Sequence, residues 1–149
     1  MSATRVFKPF NPLTSAVAGD KGLRVDRVLK SADEQLQRMQ DPMRASLRAW
    51  VMEILAASGE PAPNLVRLAW LANGVLGVAG ACGLEALARC GGLLGRAIEA
   101  MGPDGWRVDA ARLYAASMVR LLDGASAVEE AAVLASLEAM TKRLASAAG

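Results

Sequence analysis

A chain of 149 residues is long enough to bury the core of one domain. Hydrophobic residues make up 53%, charged residues 21% and aromatic residues 4%, and Ala, Leu, Arg and Glu are common, which favours helices with small side chains between them. A balance of 17 basic to 15 acidic residues, with no long basic run, argues against a nucleic-acid partner, and two cysteines without any histidine exclude a standard structural zinc site.

Residues 1–22 contain Pro9, Pro12, Gly19 and Gly22 with no sustained helical period. They read as a mobile tail ahead of a single helical domain over 23–149. Phe7 and Phe10 lie in this tail and either pack back on the domain or form a short docking peptide. The first helix is predicted over Leu23–Gln40, with Val25, Val28, Leu29, Ala32, Leu36 and Met39 as its apolar stripe. Asp41-Pro42 is expected to end it and start a second helix, because proline is tolerated at a first helical position. That second helix runs to about Ala57, with Met43, Leu47, Trp50, Val51, Ile54 and Leu55 inward.

Asn64 is the expected cap of a third helix, Leu65 to about Cys82, broken from a fourth at Gly83. The fourth helix, Leu84 to Met101, turns Leu87, Ala88, Gly91, Leu94 and Ile98 inward and Glu85, Arg89, Gly92, Arg96 and Glu99 outward. Gly102-Pro103 is a stop signal. A fifth helix is expected from Asp104 to about Gly124, with Trp106, Ala110, Leu113, Tyr114, Met118 and Leu121 inward. Ser126 and Glu129 match a capping box at the start of a last helix, on which Glu138 and Lys142 are spaced to pair. No segment alternates like a strand. The expected class is all-α, an antiparallel bundle of five to six helices.

The third helix holds the most information. Leu68 to Leu84 is a run of 17 residues without a formal charge, the lower limit for a membrane span. Asn73, four glycines and the lack of aromatic belts argue against insertion. Gly74, Gly77, Gly80 and Gly83 recur every three residues. Glycine inside a helix costs about 0.5–1 kcal/mol relative to alanine, so the spacing asks for either close internal packing or a bare patch for a partner.

Leu68-Ala69-Trp70-Leu71-Ala72-Asn73-Gly74, followed by Gly77 and Gly80, resembles the signature of histidine-containing phosphotransfer (HPt) domains. Gly83-Leu84-Glu85-Ala86-Leu87 and Ile98-Glu99 resemble the second helix of that family, and the likeness spans about Asn64 to Asp123. The resemblance implies a four-helix core and partners such as a response-regulator receiver domain or a histidine kinase. Trp70 stands at the family's histidine position, Ala72 at its leucine and Asn73 at its lysine. Phosphotransfer needs a basic imidazole nitrogen as nucleophile, whereas the indole nitrogen can only donate a hydrogen bond. With no histidine, the chain cannot carry phosphohistidine.

Walker-type loops, dinucleotide-binding glycine patterns and metal-ligand clusters are also missing, so no enzyme activity, cofactor or metal is expected. The expected partner surface comprises Arg67, Trp70, Asn73, Gly74 and Gly77, flanked by Arg89 and Arg96. Trp70 is there either an interface anchor or an ordinary core residue. A structural module that pairs as a homodimer through Gly/Ala-rich faces is the alternative. With no signal peptide in view, a cytoplasmic location with reduced thiols is the expectation.

Overall fold

The computed structural model describes residues 25–149, which form five α-helices and no strand among the described residues: α1 Val25–Ser58, α2 Leu65–Ala81, α3 Glu85–Met101, α4 Val108–Leu122 and α5 Ala127–Ala147. The expected tail over 1–22, with Phe7 and Phe10, lies outside the described residues. Two compact units divide at Met39 and Gln40.

In the first unit, Val25, Val28, Leu29, Leu36 and Met39 are all exposed. The predicted periodicity is therefore present, with these side chains exposed. Asp41-Pro42 does not separate two helices: α1 continues through Pro42. Proline there removes one amide donor and pushes on the carbonyl of Arg38. Arg38, Asp41 and Pro42 are exposed, so water can take up the freed carbonyl.

The second unit is a helical bundle with α3 at its centre, in contact with α2, α4 and α5. Leu47, Val51 and Ile54 of α1 join Leu68, Leu71 and Val75 of α2 and Leu87, Leu94 and Ile98 of α3 in one core. Tyr114 of α4 is its largest fully buried side chain. Thr141 spends its single hydroxyl proton on the Leu137 carbonyl at 2.7 Å, so it accepts from the Tyr114 hydroxyl at 2.6 Å. Burial raises the Tyr114 pKa and pushes the Cys90 thiol up to about 12. Cys82 and Cys90 are both free and buried.

The break at Gly83 is a Schellman turn. Gly83 has φ 72°, its amide donates to Gly80 O at 3.1 Å, and the Leu84 amide donates to Ala79 O at 2.8 Å. That turn folds α3 back on α2, and Gly91 sets how closely the two approach. A Cβ added at Gly91 would lie 2.9 Å from Ala72 O and 3.0 Å from Leu76 N, which is backbone that cannot swing away. Gly102 follows at the end of α3, as expected. The fifth predicted helix begins later than expected, at Val108 instead of Asp104. Residues 102–105 form turns, and Trp106 pins the following loop by donating to Glu60 O at 3.1 Å. Leu113, expected inward, is 50% exposed.

The capping box forms as expected, with Ser126 accepting from the Glu129 amide and Glu129 accepting from the Ser126 amide. Glu138 pairs with Arg89 of α3 instead of Lys142, because the neighbouring helix brings a guanidinium within reach. Among the described residues no helix is long and apolar enough to cross a membrane.

Two outcomes follow from this packing. Gly91→Ala forces α2 and α3 apart and lowers stability by about 1–3 kcal/mol in urea unfolding; unchanged stability would show that the helices do not meet there. The Ser126 amide, and then Arg120, hold the Glu129 carboxyl at about 2, against 4.5 for the free group. A depressed folded pKa stabilises the fold above the unfolded value and loses that contribution as pH falls from about 4.5 towards 2. Wild-type stability should therefore fall more steeply across that window than stability of Glu129→Gln, and equal slopes would contradict the assignment.

Candidate functional site

The Asn64 side chain accepts from the Arg67 amide at 3.0 Å and so fixes the first turn of α2. From that start, helical spacing turns Val66, Trp70, Asn73, Gly77 and Gly80 to one outward face, and all five are exposed. The opposite face, with Leu68, Leu71, Ala72, Val75 and Ala79, is buried.

One edge of the outward face is an ordered cluster. Arg67 forms a two-point pair with Glu53 of α1, Nε to Oε1 at 2.7 Å and Nη2 to Oε2 at 2.9 Å. This hydrogen bonding lowers the Glu53 pKa and raises that of Arg67. The guanidinium carbon lies 4.6 Å from the centre of the Trp70 ring, a cation–π contact. Trp70 also meets Trp50 edge-on, with ring centres 5.8 Å apart and planes at 73°. Trp50 in turn lies on Gly74, where an added Cβ would sit 3.1 Å from the Trp50 ring. Trp70 thus has two ordered neighbours, yet it stays 53% exposed. It is not a core residue.

The glycines on this helix divide by role. Gly74 makes room for Trp50 and Gly83 makes the turn. Among the described residues, Gly77 has nothing within 4 Å of an added Cβ, and Gly80 has the Ala88 Cβ at 4.0 Å. Close internal packing therefore does not account for those two.

The expected site residues fall into two groups. Arg67, Trp70 and Gly74 gather around Trp50, and Asn73 and Gly77 continue along the same face. Arg89 and Arg96 do not join that cluster; they line a groove with Leu76, at the other edge of the α2 face, and with Gly92, Leu93, Glu138, Thr141 and Lys142. Trp50 and Glu53 were legible only as residues of an amphipathic helix. Nothing in their spacing named Trp70 and Arg67 as their partners, because that pairing depends on how two helices cross.

Chemically, the α2 face offers stacking surface, exposed backbone and one amide side chain. Its nearest charge, Arg67, is already paired with a carboxylate. Among the described residues no group of three acidic or thiol side chains is placed to hold a metal ion. Comparison with protein-family models, with curated proteins and with solved structures found no match to this chain.

Proposed function

We propose that this chain is a non-catalytic, HPt-like adaptor that binds a response-regulator receiver domain or a histidine kinase through the outward face of α2, without accepting phosphate. The observation that carries this reading is the exposed Trp70 at the position where the resembling family has its phosphorylated histidine. Arg67 and Trp50 hold the ring in place, so docking costs little side-chain entropy there. Beside it, Gly77 and Gly80 leave the helix backbone open to a partner's close approach. An aromatic anchor next to a bare surface suits an interface hot spot. The indole cannot act as a nucleophile toward phosphate, so a partner would be held and not modified.

A second reading, self-association, is favoured by the uncovered apolar residues of α1, Val25, Leu29, Leu36 and Met39, which recur at heptad spacing. One set of measurements separates the two. A panel of purified receiver and histidine-kinase domains is titrated against the full chain and against Trp70→Ala, and the chain alone is sedimented. The adaptor reading expects at least one receiver or kinase domain to bind, with Kd raised about 30-fold by Trp70→Ala, the scale of a tryptophan hot spot. Sedimentation as a tight dimer with no domain of the panel binding above background would sink it in favour of self-association.

A further inference from the structure

The groove that holds Arg89 and Arg96, the expected flank of the partner face, has a lining that the adaptor reading does not use. It has a volume of about 440 Å³, within the range of small-molecule sites, and three helices build it. Leu76 comes from α2, Gly92, Leu93, Arg89 and Arg96 from α3, and Glu138, Thr141 and Lys142 from α5.

Its floor is apolar and its rim is positive. The Thr141 hydroxyl is already committed to Leu137 O and Tyr114, so it contributes its methyl-bearing carbon and no free polar atom. Glu138 is neutralised by Arg89. Arg96 and Lys142 have no carboxylate within ion-pair distance among the described residues, which leaves two cations on the rim without a counter-charge. Gly92 supplies the second observation. Among the described residues a Cβ there would meet only Leu76 methyl carbons at 3.7 and 3.9 Å, an ordinary contact, so their packing does not require glycine. A glycine inside α3 lowers helix stability relative to alanine, and here its effect is to keep the floor open.

We propose that this groove binds a small, soluble amphipathic anion, its acidic group held by Arg96 and Lys142 and its apolar body lying over Leu76, Gly92 and Leu93. Charge-assisted hydrogen bonds on the rim orient the head group. The apolar floor removes the body from water, which sets the preference for an anion with a ring or short chain over inorganic phosphate.

A fluorescence titration of the full chain with 8-anilinonaphthalene-1-sulfonate tests this, because that probe joins a sulfonate to an apolar ring system. The expected result is one saturable site, with affinity lowered at least about tenfold by the double variant Arg96→Gln/Lys142→Gln. Gly92→Leu, which fills the floor with a good helix former, should lower it at least as much while the circular dichroism of the bundle is retained. N-phenyl-1-naphthylamine, the same rings without the sulfonate, should bind more weakly by a similar factor. Trp70→Ala should leave the affinity unchanged, which keeps this groove distinct from the partner face. Equal affinity in wild type and the double variant, equal binding of the neutral probe, or loss of the site in Trp70→Ala would each overturn the proposal.

Discussion

The backbones of α2 and α3 approach each other closely at residue 91, and they can do so because that residue has no side chain. With Gly91 against Ala72 O and Leu76 N, α3 lies on α2 at a distance that any larger residue would prevent. That approach decides which face of α2 is spent. Ala72, Val75 and Ala79 are buried, and Leu68 and Leu71 reach the shared core. What remains outward is the line from Val66 through Trp70, Asn73 and Gly77 to Gly80. Leu76, at the other edge of that face, becomes one wall of the cationic groove. Both surfaces follow from a single steric allowance.

Glycine carries three separate jobs within 20 residues of sequence. It admits a neighbouring backbone at Gly91 and a neighbouring indole at Gly74, and it makes a left-handed turn at Gly83. At Gly77, Gly80 and Gly92 it does none of these. The helix bears the propensity loss at those positions without a return from its own packing. The proposed partner face and groove would put that bare backbone to use.

Much of the bundle was legible in the sequence because the relevant signals are local. The apolar spacing of Leu47, Val51 and Ile54, the capping box at Ser126 and Glu129, and the stop at Gly83 each act within one or two turns. The missed features depend on distant groups. Pro42 sits inside a helix because its surroundings are open to water, which a local rule cannot register. Glu138 found Arg89 before Lys142, since helix α3 passes beside it. Spacing alone leaves Trp70 open between core and surface, because α2 has apolar or small residues on nearly all sides. Its placement became readable only with Trp50 and Arg67 in view.

The central claim is that the outward face of α2 is kept bare for a partner and not for the fold. Urea unfolding of Gly77→Ala and Gly80→Ala in the full chain tests it most directly. If neither glycine serves internal packing, each substitution should raise stability by about 0.5–1 kcal/mol, the difference in helix preference between the two residues. A loss of stability in both variants would show that the fold itself needs those glycines, and would contradict the account.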